Sequence, residues 1–248
     1  MSEITKVVDW ISGIASGSVM DSGASGMIVG LSGGLDSAVV LALCVQAVGK
    51  SSVIGVSMPC FSSPDDKADA RLVANKFGID FRVVNLNTAY TAFTSLMHTG
   101  TNMARANLKA RLRMSAIYFI ANTYTSIVAG TCNKSEIKTG YFTKYGDGGS
   151  DFEPIGDFYK REVKEMAIEL GIPEKIVNRV PSAGLWEGQT DEKEMGVTYD
   201  DVENVIECIE NGKAIAVSEK KYNRIKSLME GAMHKINPIP VYKRKEQS

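Results

Sequence analysis

Apolar residues recur at helical spacing over residues 4–20, where Ile4, Val7, Val8, Ile11 and Ile14 share one face. A run of small residues, Asp21-Ser22-Gly23-Ala24-Ser25-Gly26, ends that helix, and the period then changes. Short continuous apolar runs predict strands over 27–31, 53–58, 81–86 (centred on Val83-Val84) and 126–129. Helical patterns lie between them over 36–48, 65–77 and 102–123, the last carrying Leu108, Leu112, Ile117 and Ile120. Asp65-Asp66, after a loop ending at Pro64, suit the positive end of the second of these helices. Strands without a polar side that alternate with helices predict an α/β fold, a doubly wound parallel sheet with helices on both faces. After residue 138 the alternation stops. A glycine-rich loop follows, then helices near 160–170, 173–178, 199–210 and 218–230, with a polar loop over 182–196 and a solvated tail from Tyr242.

Composition narrows the class. The chain has 248 residues, 44% of them hydrophobic and 23% charged, which is enough for one large globular α/β unit. The expectation is a single domain over 1–248. A net charge of −1 gives no general attraction for polyanions, so a nucleic-acid partner is not expected. No apolar run approaches the roughly 18 residues of a membrane span. The start, Met1-Ser2-Glu3-Ile4-Thr5, lacks the basic and apolar stretches of a secretory leader. Cys44, Cys60, Cys132 and Cys208 are scattered without a C-x-x-C pair, which predicts reduced thiols in a cytoplasmic protein and no zinc cage.

The segment Gly30-Leu31-Ser32-Gly33-Gly34-Leu35-Asp36-Ser37 joins the strand at 27–31 to the helix at 36–48. Glycines there let the backbone turn tightly, so that amides converge on an anion at a helix N-terminus. Ser32 and Ser37 add hydroxyl donors. Asp36 is the informative member, because a carboxylate beside phosphate is repulsive unless a cation lies between them. The loop therefore implies a nucleotide with Mg²⁺ in oxygen coordination. It lacks the Gly-Lys-Ser/Thr of a Walker loop and the G-x-G-x-x-G spacing of a dinucleotide fingerprint. Ser-Gly-Gly-x-Asp-Ser instead resembles the PP-loop of the ATP pyrophosphatases, which hold the β and γ phosphates of ATP and cleave it to AMP and pyrophosphate.

Ligands in such sheets bind beyond the carboxyl ends of the strands, at the switch in strand order. Gly130-Thr131-Cys132-Asn133-Lys134-Ser135-Glu136, which follows the strand at 126–129, should share the crevice with the loop. Glu136 is then placed as a second Mg²⁺ ligand and Thr131 as a nucleotide contact. Asn-Lys-Ser-Glu is equally an ordinary capped helix start.

Together with two further segments, these make the chain similar to the ammonia-dependent NAD⁺ synthetases over roughly residues 4–238. The two are Gly140-Tyr141-Phe142-Thr143-Lys144-Tyr145-Gly146-Asp147-Gly148-Gly149-Ser150-Asp151 and Pro181-Ser182-Ala183-Gly184-Leu185-Trp186-Glu187-Gly188-Gln189-Thr190-Asp191-Glu192. The resemblance implies an adenine-nucleotide α-hydrolase-like sheet, a homodimer, and ATP, deamido-NAD⁺ and ammonia as substrates. It implies that Gly30 to Ser37 hold the phosphates and that Asp36 and Glu136 bind Mg²⁺. By the same likeness Thr131, Lys160 and Ser182 contact ATP, while Arg111, Lys144, Asp151, His234 and Lys235 contact deamido-NAD⁺. Asp36, Lys144 and Asp151 would act in catalysis, with Asp151 or Asp147 accepting the proton from ammonia.

Each assignment has a plainer counterpart. Arg111 and Arg113 also fit an exposed basic helix face, Asp151 a turn cap, and Trp186 a packing role. Glycines around Lys144 favour a loop that folds over substrate. Two other functions compete with amidation. One is sulfur transfer to tRNA by a PP-loop enzyme through Cys60 and Cys132; the other is a nucleotide-binding module without catalysis.

Overall fold

The computed structural model describes residues 1–17, 23–97, 99–182, 184, 186, 188–214 and 216–244. Four strands, β1 (Gly26–Gly30), β2 (Val53–Ser57), β3 (Asp80–Val83) and β4 (Ser126–Ala129), form a parallel sheet in the order β3-β2-β1-β4. Met27 of β1 stands between Val53 of β2 and Ile127 of β4. The chain reverses its winding between β1 and β4, and that switch opens a crevice at their carboxyl ends. Beyond β4, Phe152 makes an isolated parallel bridge to Ala129 and extends the sheet by one position.

Alternate residues of β1 face opposite layers. Met27 and Val29 join α1 (Glu3–Ala15), α2 (Leu35–Val48), α3 (Pro64–Phe77), α7 (Lys160–Glu169) and α8 (Glu174–Val177) in the larger core. Ile28 packs with Val56, Val128, Ile117 and Ile120 beneath α5 (Asn102–Thr123). α2 is buried almost all round because α1 and α7 cover the side turned away from the sheet. A separate cluster built on Met195, Tyr199, Val202, Val205, Ile206 and Ile225 holds α9 (Asp191–Met195), α10 (Tyr199–Asn211) and α11 (Glu219–Ile236) together.

The hydrophobic pattern located β4 and α5 to the residue and α2, α3, β1 and β2 to within one. Other boundaries differ. α1 stops at Ala15 rather than 20, with Ser16 as its cap. The expected end of that helix and start of the following turn (18–22) lie outside the described residues, as does the tail beyond Arg244. β3 ends at Val83, which is 40% exposed, so Val83 is an edge residue and not a strand centre. The Val84 amide still donates to the Ser57 carbonyl (2.9 Å) after the strand has ended. Two helices were not foreseen, and a third, at Asn-Lys-Ser-Glu, was expected only as one of two readings. α4 (Asn87–Ser95) buries no residue, so it leaves no apolar stripe in the sequence. α6 (Lys134–Thr139) and α9 are each about one turn long, and α9 lies within the expected polar loop at 182–196. α11 runs on to Ile236 and so includes His234 and Lys235.

Candidate active site

The loop between β1 and α2 is held by its own hydroxyls. Ser32 Oγ accepts from the Gly34 amide (3.1 Å), and Ser37 Oγ donates to the Gly34 carbonyl (3.1 Å). Leu31 and Leu35 turn their side chains into the core. Gly33 has φ +83°, and a Cβ there would lie 2.5 Å from the Asp66 carbonyl oxygen, so only glycine closes this turn. Gly34 caps α2 without a side-chain hydrogen bond. The first amides of α2 are therefore left with no side-chain acceptor, the arrangement that takes a phosphate.

Asp36, in the first turn of α2, meets α6 and α7 across the switch point. Its Oδ1 accepts from Asn133 Nδ2 (3.0 Å) and its Oδ2 from the Lys160 ammonium (2.6 Å). The same ammonium lies 3.2 Å from Glu136 Oε1. Glu136 also closes a capping box: its amide donates to Asn133 Oδ1 (3.0 Å) and its Oε2 accepts from the Asn133 amide (3.2 Å). The helix-start and site readings of Asn-Lys-Ser-Glu thus coincide in one side chain. Burial pushes the Glu136 carboxyl up to about 7, with the Lys160 charge pulling it down and Asp36 pushing it further up. Burial opposes the charge on Lys160, but the carboxylates of Asp36 and Glu136 outweigh it and hold the lysine protonated.

Tyr199 bridges to a third carboxylate. Its hydroxyl is 2.9 Å from Asp191 Oδ2 and 3.2 Å from Glu136 Oε1. Asp191 is 4% exposed and its Oδ1 has no hydrogen-bond partner among the described residues. Among the described residues no group of three His, Cys, Asp or Glu side chains is arranged to hold a metal. Two carboxylates converging on one positive charge fit the oxygen donors that Mg²⁺ prefers, and Asp36 and Glu136 are the residues that would hold it.

These groups open into a cleft with about 280 Å³ of interior space. Thr131, Glu136, Lys160 and Ser182 all line it, together with Asp36 and most of the loop. Arg111 does not; it is exposed and donates to the Lys144 carbonyl (3.3 Å). The cleft is lined by Arg113, two residues further along α5, which holds the Met58 carbonyl (3.1 Å) and Ser62 Oγ (3.0 Å).

The remaining expected residues gather around the glycine loop and not in the cleft. Lys144 donates to the His234 carbonyl, and Lys235 donates to the carbonyls of Gly140 (2.6 Å) and Phe142 (2.7 Å). The end of α11 is thereby tied to the loop at 140–145. Both Asp151 oxygens are engaged, one by the Tyr118 hydroxyl (3.1 Å) and one by the Val128 amide (2.7 Å).

A model of the NAD synthase family matches residues 3–239. The chain belongs to that family. It is 43% identical to the NH(3)-dependent NAD(+) synthetase of Archaeoglobus fulgidus over 95% of its own length and 96% of the relative's. Among solved structures it resembles an NMN synthetase from Francisella tularensis (TM-score 0.88, 34% identity, covering 98% of this chain and 100% of that one). It also resembles an NH3-dependent NAD synthetase from Campylobacter jejuni in complex with nitrate (TM-score 0.82, 26% identity, covering 97% of each chain).

Within this NAD synthase fold, Asn133, Asp191, Tyr199, Arg113 and Arg179 are site residues that reading the sequence left without a role. Asn133 and Asp191 stood inside quoted motifs. Tyr199 and Arg179 had no local signal, since each gains its place only through the packing of α10 and α8.

Proposed function

We propose that this protein amidates the nicotinate carboxylate of deamido-NAD⁺ with ammonia, at the expense of ATP, giving NAD⁺, AMP and pyrophosphate. The observation that carries the proposal is the convergence of Asp36 and Glu136 on Lys160 beside a phosphate cradle. The loop at 30–37 would hold the outer phosphates through its amides. Asp36 and Glu136 would hold magnesium, which when bound offsets phosphate charge. Lys160 supplies this chain's own positive charge at the same place. The acid carboxylate attacks the α-phosphorus, an oxygen–phosphorus bond forms, and pyrophosphate leaves. Ammonia then attacks the acyl carbon of the adenylate and AMP leaves with the bond electrons. We assign the proton from nitrogen to Asp147, which lines the cleft although its Oδ1 accepts from the Thr143 amide (2.9 Å), rather than to Asp151, which does not line it. Arg111, Lys144, His234 and Lys235 form the joined rim at which the dinucleotide acid would be held.

We read residues 1–248 as one synthetase unit working with free ammonia, in the cytoplasm, where its four free thiols would stay reduced. Among the described residues no helix is long and apolar enough to cross a membrane. Phe93, Leu96, Met97, Met103 and Phe119 are exposed on α4, α5 and the segment between them, apolar area of the kind that a second copy of the chain would cover. Sulfur transfer is disfavoured because burial pushes the thiols of Cys60 and Cys132 up, away from the reactive thiolate.

Similarity to an NMN synthetase makes the corresponding mononucleotide acid the competing substrate. Incubation with ATP, Mg²⁺, ammonium and either acid decides both points. The proposal expects NAD⁺ and AMP in equal amounts with deamido-NAD⁺ preferred. Faster turnover of the mononucleotide acid would replace the substrate, and release of ADP would contradict the reaction.

A further inference from the structure

Arg179 follows α8 and leads through Val180 and Pro181 to Ser182. Its guanidinium donates from Nη1 to the Gly33 carbonyl (3.1 Å) and to Asp69 Oδ2 (3.0 Å), and from Nη2 to Asp66 Oδ1. Asp66 lies in the first turn of α3 and lines the cleft. Asp69 is 3% exposed and also takes the Lys175 ammonium. The apex of the phosphate cradle is pressed directly onto this cluster: a Cβ at Gly33 would stand 3.0 Å from Asp69 Cβ and 3.1 Å from Arg179 Nη1. On the other side, a Cβ at Gly184 would stand 3.7 Å from Asp66 Oδ2. One side chain thus joins the cradle, the start of α3 and the segment that carries Ser182.

The charge balance gives this joint a purpose beyond packing. Asp66 and Asp69 stand beside a loop shaped for phosphate, where uncompensated carboxylates repel the ligand. Arg179 pairs with both while it holds the Gly33 carbonyl, which keeps the turn closed and leaves the first amides of α2 for the anion. We infer that Arg179 is a positioning residue for the nucleotide, one that fixes the apex of the cradle and, with Lys175 on Asp69, offsets the two aspartates behind it. The inference rests on reading residues 30–37 as the ATP site.

The test measures ATP binding directly by calorimetry with Mg²⁺, alongside KM for ATP and for the acid, in Arg179→Ala, Arg179→Lys, Asp66→Asn and the Arg179→Ala/Asp66→Asn double variant. Arg179→Ala should weaken ATP by about tenfold or more while KM for the acid stays within about twofold. Arg179→Lys should recover part of the loss by keeping the charge without the fork, and the double variant should recover part by removing the unpaired carboxylate. Asp66→Asn alone keeps the contacts to Gly33 and Asp69 and should bind ATP at least as well as the natural chain. Unchanged ATP affinity in Arg179→Ala overturns the inference. So does equal weakening of both substrates in a variant that melts with the natural protein. If Arg179→Ala does not fold, weaker ATP binding in Asp66→Asn overturns the charge argument and tighter binding supports it. A natural chain that binds no ATP at all removes the cradle reading as well, a result distinct from these.

Discussion

The Lys160 ammonium lies 2.6 Å from Asp36 Oδ2 and 3.2 Å from Glu136 Oε1, and so pairs with both carboxylates proposed to hold a metal ion. The lysine is buried, yet two carboxylates hold it charged. A cation bound between Asp36 and Glu136 must compete with it. In Lys160→Met the competitor is gone and two half-buried carboxylates face each other without a counter-charge, a change costing up to about 3 kcal/mol. Divalent cation should then restore stability. We expect millimolar Mg²⁺ without nucleotide to raise the melting temperature of Lys160→Met and to leave the natural chain unmoved. Equal responses in both would remove the metal role of this pair.

Gly33→Ala tests the geometry of the cradle. The left-handed φ and the close Asp66 carbonyl leave no space for a methyl group, so the variant should lose about 2 kcal/mol of stability. ATP affinity should fall with it. Urea unfolding and nucleotide titration check the two effects separately, and an unshifted midpoint would show that the turn adapts.

Glu153 gives a pH dependence away from the metal ligands. Its carboxylate accepts from Ser150 Oγ (2.8 Å) and the Cys132 amide (3.1 Å), and burial pushes it up to about 7 from its ordinary 4.5. The folded chain therefore holds this proton more tightly than the unfolded chain. Its contribution is complete below pH 4.5 and is lost as pH rises toward 7, by on the order of 2–3 kcal/mol. Glu153→Gln should flatten that part of the stability–pH curve. Denaturant midpoints measured across the window check it, and an unchanged slope contradicts the account.

Part of this architecture was legible along the chain because the physics there is local. β4 and α5 announce themselves by period, and the cradle by glycines followed by a carboxylate. Asp36 and Glu136, 100 residues apart in sequence, were paired by the rule that ligands bind where a parallel sheet changes its winding. α4 was illegible because it buries nothing. Arg113 was given no role of its own because a helix face cannot be oriented before its neighbours are known; packing brings it to the cleft, while Arg111, assigned by resemblance, reaches the Lys144 carbonyl. Tyr199 and Arg179 depend on contacts between elements far apart in the chain, which no local pattern encodes.

The central claim is that the cradle grips the outer phosphates and leaves the innermost phosphorus open to the acid. Deamido-NAD⁺ labelled with ¹⁸O in both carboxylate oxygens, turned over with ATP, Mg²⁺ and ammonium, reports this directly. The account predicts one labelled oxygen in the AMP phosphate and the other in the amide of NAD⁺. Label in pyrophosphate or in inorganic phosphate, with AMP unlabelled, would contradict it.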